Sequence, residues 1–173
     1  MEVRNSKGLP ILASPAGDRT VALSRQLAQA HQELLRRIND LRSGGGSRRL
    51  SDDALVTHCL AFCTALTSHH QGEDDGLFAQ LVRARPDLAP TIGKLVEDHE
   101  LIGSILTRVR EVALRAARSP AQEREAIKGE LDGLAAIMES HFRYEERTIS
   151  KALDATAPAA DDWPDTVFRF AGS

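Results

Sequence analysis

Two stretches far apart in the chain repeat one pattern, His69-His70-Gln71-Gly72-Glu73-Asp74 and His141-Phe142-Arg143-Tyr144-Glu145-Glu146. In each, a histidine precedes a glutamate by four residues, a second acid follows that glutamate, and an aliphatic residue, Leu77 or Ile149, stands four further on. On a helix, positions i and i+4 lie one above the other, so each stretch aims one imidazole and one carboxylate at a common point. A carboxylate on an inward face must be paired, neutralised or ligated, because leaving it bare in an apolar core costs several kcal/mol. The fold must therefore bring both faces together around something polar.

Helices supply those faces. Aromatic residues make up only 4% of the chain, and glycine and proline cluster in a few places instead of recurring at the short intervals of a β-sandwich or barrel. Residues 1–19, with Gly8, Pro10, Pro15 and Gly17, read as an extended arm that is not helical. From Thr20 to Leu41 the positions Leu27, His31, Leu34, Ile38 and Leu41 recur at steps of three and four, which predicts a helix with one buried stripe. Ser43-Gly44-Gly45-Gly46-Ser47 breaks it. A second helix is predicted from Ser51, a good N-cap followed by two aspartates, with the stripe Leu55, His58, Phe62, Ala65 or Leu66, His69, Glu73, Leu77, Leu81 and an end before Pro86.

The third helix carries Ile92, Leu95, His99, Ile102, Leu106, Val109 and Ala113 inward, and Ser119-Pro120 marks the next break. The fourth shows the cleanest seam, Leu131, Leu134, Met138, His141, Glu145, Thr148 and Ala152. Long helices with short connections predict an all-α, up-down-up-down four-helix bundle over residues 20–155. An extended N-terminal arm would precede it, and residues 156–173 would form a C-terminal tail whose Trp163, Val167, Phe168 and Phe170 dock on the bundle or on a partner chain.

Counted from the predicted turns, His31, His69, His99 and His141 differ in depth by at most about 8 Å, within the uncertainty of helix ends, so all four fit one slab of the bundle. With Glu73 and Glu145 they make six ligands from four helices, a set that suits two metal ions bridged by two glutamates. Nitrogen-rich ligation without thiolate, and with positions left open, favours iron and oxygen-type chemistry over manganese or a closed structural zinc site.

Taken together, His31, the His69/Glu73 pair, the Asp-His-Glu histidine His99 and the His141/Glu145 pair resemble the hemerythrin-like, or HHE cation-binding, family over roughly residues 20–153. The resemblance implies a non-heme di-iron centre with Glu73 and Glu145 as bridging carboxylates and an oxo or hydroxo bridge. It departs from the oxygen carriers of the family in two places. Leu95 stands where they have a second helix-3 histidine, and Glu146 stands where they have a bridging aspartate, behind the better-placed Glu145. A missing imidazole would open a coordination position and favour reaction with O2, peroxide or NO over simple carriage.

Other residues invite readings of their own. His58 falls about 16 Å along the helix from His69, too far to share its metals, and reads as a core or channel histidine. His70 points about 100° away from His69, toward Cys59 and Cys63, and would replace His69, with Asp74 replacing Glu73, only if the helix were rotated. The two cysteines read as reduced, small hydrophobic residues. Tyr144 reads as an edge-of-core aromatic or as a hydrogen-bonding or redox-active phenol beside the centre, and Glu33, Glu100 and Glu146 read as solvated or as supports of the ligands they adjoin.

A net charge of −3 from interspersed acids and bases leaves no basic footprint for nucleic acid. No apolar run is long enough for a membrane span and no signal pattern opens the chain, so a cytoplasmic location is expected. The functional expectation is a di-iron protein that binds and reacts with O2, peroxide or NO, or with a small organic substrate, as an oxidase- or peroxidase-like enzyme or in stress defence. The alternatives are a non-catalytic sensor or carrier of O2, NO or iron, and a metal-free interaction bundle.

Overall fold

The computed structural model describes residues 15–43, 52–116 and 120–155. Helix α1 spans Pro15–Arg42. Helix α2 is one rod over 52–84, made of an α-helical part Asp52–Gly72, a π-helical turn Glu73–Phe78 and a last α-helical part Ala79–Ala84. After a 3-10 turn, Pro86–Leu88, come helix α3, Ala89–Ala116, and helix α4, Pro120–Ala155. Each helix packs on those before and after it, and α1 also packs on α4, which closes the four-helix bundle. Among the described residues no helix is long and apolar enough to cross a membrane.

The helix stripes fall where the periodicity puts them, with local corrections. Helix α1 starts at Pro15, five residues before Thr20, so the last part of the expected arm is helical. Proline suits a first turn, where its missing N–H costs nothing. Residues 1–14 and 156–173, including the aromatic tail, lie outside the described residues. Thr148 is only partly buried, and Ile149 takes the inward place beside it. His58 is exposed, so neither the core nor the channel reading of it holds: the seam of α2 runs through Val56, Cys59, Phe62 and Cys63 instead.

The π turn has a cause in the sequence. His69, Glu73, Leu77 and Leu81 are all inward yet succeed one another at three consecutive steps of four. In a straight α-helix, with about 3.6 residues per turn, each such step over-rotates by about 40°, and three would carry Leu81 off the seam. A wider π turn takes up the excess and keeps all four on one line. Arg85 then leaves the helix at φ −137°, ψ 78°, as expected of a residue before proline.

On every helix the seam reads apolar, polar, apolar. Leu27, His31 and Leu34 do so on α1, and Leu66, His69 to Glu73 and Leu77 on α2. Leu95, His99 and Ile102 follow on α3, and Met138, His141 to Glu145 and Ile149 on α4. The core is thereby split in two. A larger group runs from Leu34, Ile38 and Leu55 to Leu131 and Phe142. A smaller one holds Leu27, Leu77, Phe78, Leu81, Ile92, Leu95, Ile149 and Leu153.

Leu131→Ala in the larger group should cost about 2–5 kcal/mol in denaturant unfolding, whereas Leu101→Ser on the surface of α3, where Leu101 is 56% exposed, should stay within about 0.5 kcal/mol. Burial, and secondarily Cys63, pushes the Cys59 thiol up to about 12, and burial raises Cys63 as well. Both should therefore resist thiol reagents in the native protein and react once it is unfolded, which a labelling time course would show.

Candidate metal centre

All six residues picked out by the spacing meet between the two apolar groups. Glu73 and Glu145 are fully buried and His31, His69, His99 and His141 at most 5% exposed. Glu73 lies at the centre, with one oxygen 3.0 Å from His69 Nε2 and 3.5 Å from His31 Nε2 and the other 3.6 Å from His99 Nε2. Glu145 stands 3.6 Å from His31 Nε2 and 3.4 Å from His141 Nε2. The slab predicted from helix depths is thus a real layer, and the two echoing stretches face each other across it.

A seventh residue belongs to the layer. His70 is 5% exposed, and its ring stacks on that of His99 with centroids 3.9 Å apart. Its nitrogens come together with those of His99 and His141, just as His31, His69 and Glu73 form a second group and Glu73, His99 and Glu145 a third. His70 does not replace His69, and no helix rotation is involved. The seam of α2 passes between the two histidines, so both turn inward, one toward α1 and the other toward α3. The imidazole that Leu95 fails to supply from α3 thus arrives from α2, while Leu95 itself is sealed in the smaller apolar group. The signal in the sequence was the apolar series Cys59, Cys63 and Leu66 at helical spacing before His70, which marks its face as core.

Phe142 packs among the imidazoles. It stacks on His31 at 3.9 Å and meets His69, His70 and His141 at 5.7–6.3 Å. Tyr144 lies elsewhere, with its ring against the smaller apolar group and Arg147 5.6 Å over its face. Among the described contacts its hydroxyl makes no hydrogen bond to a residue of the layer.

The electrostatics of the layer are those of a site built for positive charge. Burial works against ionising Glu73, but the charge of His69 and the close approach of His31 overcome it and hold the carboxyl well below its usual range. Burial and then the negative charge of Glu73 push Glu145 well above it, so the two carboxylates do not ionise together without a cation. Burial, with the charge of His99, lowers His70 and takes His141 down to about 4, which keeps both rings neutral with a lone pair to give. His31 is raised despite its burial, through Glu146 and Glu73.

Three observations test whether a metal suits these residues. His31 Nε2, His70 Nε2 and all four oxygens of Glu73 and Glu145 are buried without a hydrogen-bond partner, a group of orphans that a core does not otherwise tolerate. His99 Nε2 and His141 Nε2 approach to 3.0 Å. Two lone pairs cannot face each other so closely without a proton or a cation between them, and a metal held by both nitrogens would supply the cation. Finally, imidazole with carboxylate is the donor set of first-row transition metals. The residues fit a metal centre.

Acids outside the layer touch its histidines. Nδ1 of His31 donates to Glu146 at 2.9 Å, and Nδ1 of His99 donates to Asp74 at 2.8 Å. Nδ1 of His141 approaches Asp98 at 3.4 Å. Glu146 is therefore not simply solvated, while Glu33 pairs with Arg36 and Arg37 on the surface and Glu100 is exposed. Asp74 and Asp98 carry a signal that was open to reading, since each adjoins a histidine or glutamate of the layer.

Residues 22–153 match the family model of the hemerythrin HHE cation binding domain, a span that takes in every residue of the layer. No curated protein and no solved structure matches the chain. With three-quarters of its length covered and a buried histidine–glutamate layer of the kind that binds cations, the chain belongs to the hemerythrin HHE cation-binding family.

Proposed function

We propose that the layer holds two iron ions, one by His31, His69 and Glu73 and the other by His70, His99 and His141, with Glu73 and Glu145 between them, and that the centre takes O2, peroxide or NO as its ligand. The observation that carries this reading is the set of orphaned donors on Glu73, Glu145, His31 and His70, which only a cation satisfies all at once. Iron is favoured over manganese or zinc by nitrogen-rich, thiolate-free ligation. When bound, such a pair supplies electrons and coordination positions for small oxygen-derived molecules.

The chain's own residues do the rest. Glu73 and Glu145 supply the negative charge that offsets the ions, the imidazoles fix the ions' positions from four helices, and Phe142 keeps the space between the rings apolar and dry. A layer this deeply buried admits a diatomic molecule or peroxide more readily than an organic substrate. The groove of about 420 Å³ between α1 and α4 gives no entry, since it is lined by Leu35, Asn39, Arg42, Asp132, Ala135, Ala136 and Glu139 and by no residue of the layer.

His70 alters the balance between reaction and carriage. An imidazole missing at Leu95 favours a reactive centre, and His70 would supply one in its place. Binding without turnover, as in a carrier or sensor, is the second reading, and His70 is the observation that favours it.

Iron-replete protein should hold about two iron ions per chain and show a near-ultraviolet charge-transfer band. Glu73→Ala and Glu145→Ala should each abolish the pair while leaving helical circular dichroism intact; iron content unchanged in both would contradict the assignment. His70→Ala should lose at least one ion, whereas His58→Ala should lose none. Consumption of added peroxide separates reaction from carriage. In the metal-free protein, Glu145→Gln replaces a carboxyl that the fold already holds neutral, so thermal unfolding should occur at an unchanged or higher temperature. A loss of more than about 1 kcal/mol there would show that Glu145 serves the bare fold.

A further inference from the structure

The three acids that touch the histidines follow a rule. Asp74 adjoins Glu73 on α2 and reaches His99 on α3; Asp98 adjoins His99 on α3 and reaches His141 on α4; Glu146 adjoins Glu145 on α4 and reaches His31 on α1. Each acid thus sits next to a residue of the layer on its own helix and bonds to the histidine of the following helix, so the contacts circulate around the bundle in one sense. All three acceptors meet Nδ1, and in all three rings Nε2 is the nitrogen turned toward Glu73, Glu145 or a neighbouring imidazole.

We propose that Asp74, Asp98 and Glu146 are positioning residues, a ring of carboxylates that fixes the tautomer and orientation of His99, His141 and His31 and so prepares the layer for metal. This rests on the metal-centre reading above. An imidazole that donates Nδ1–H to a carboxylate has its lone pair on Nε2, where a metal would be met, and the carboxylate makes that lone pair more basic. The three contacts also tie α2 to α3, α3 to α4 and α4 to α1 at the level of the layer, so rotation of α3 or α4 about its axis would break two of them and rotation of α1 or α2 one. The acids are 30% exposed at Asp74, 36% at Glu146 and 51% at Asp98, which leaves them in contact with water while the histidines stay dry. By length and exposure, Asp74 and Glu146 hold their histidines more firmly than Asp98 does.

The test uses Asp74→Asn, Asp98→Asn and Glu146→Gln in the full chain, with two readouts. In the metal-free protein, nitrogen-15 NMR of the histidine rings should show the Nδ1–H tautomer at His31 and His99, and Glu146→Gln should disturb it at His31 but not at His99. In competition titrations with zinc and iron, Asp74→Asn and Glu146→Gln should each weaken binding by roughly 10- to 100-fold, with a smaller loss for Asp98→Asn. The exposed Glu100, beside His99, is the control, and Glu100→Gln should leave affinity within about twofold. Native tautomers in every variant, or affinities unchanged in all three, would overturn the proposal, as would a loss in the Glu100 variant equal to the others, which would reduce the effect to general charge. Absence of metal from the native protein would instead sink the metal-centre reading, and the tautomer readout would still decide whether the ring orients the histidines.

Discussion

Two carboxylates and five imidazoles buried in the middle of an apolar bundle are the condition on which the rest of this structure depends. Dehydrating such groups costs several kcal/mol for each ion, and mutual contacts offset that only in part. The metal-free protein meets the cost unevenly. His69 and His31 draw Glu73 toward ionisation against its burial, burial and then the charge of Glu73 push Glu145 toward its protonated form, and burial with the charge of His99 pushes His70 and His141 toward theirs without charge. The bundle tolerates this because two apolar groups, one on either side of the layer, supply the burial that keeps the helices together. Stability and cation binding are thereby assigned to different strata of one molecule.

Much of this arrangement was legible in the sequence. Periodicity alone located four helices and most of their inward residues, because long helices with a single apolar stripe leave few alternatives. The depth of His31, His69, His99 and His141 could be compared by counting residues from the turns, since a straight helix converts sequence distance into length. What counting could not supply was rotation. Whether His69 alone or His69 and His70 together face inward depends on where the seam passes relative to two adjacent residues, an angle of about 50° either way. The steps of four along α2 and the apolar Cys59 and Cys63 both bear on that angle.

The outer acids were hidden for a different reason. Asp74, Asp98 and Glu146 lie on the flank of their own helices, where a charged residue is ordinarily solvated, and nothing in a single helix shows that a neighbouring helix offers a ring nitrogen within 2.8–3.4 Å. Contacts of this kind become readable only after the order of the helices around the bundle is known. That order followed from the short connections, so the circular pattern is a consequence of up-down topology combined with acids placed next to ligands.

The wide turn at Glu73–Phe78 has an implication for how such a helix can change. It acts as one extra residue accommodated without leaving the helix, and it separates two registers, one serving Cys59 to Glu73 and the other serving Leu77 to Leu81. Removing a residue there would straighten the rod and force a choice: the larger apolar group would keep its partners on α2 and the smaller would lose them, or the reverse. A helix that must serve a polar layer and two unlike cores at once therefore carries its adjustment at the residue where those demands meet.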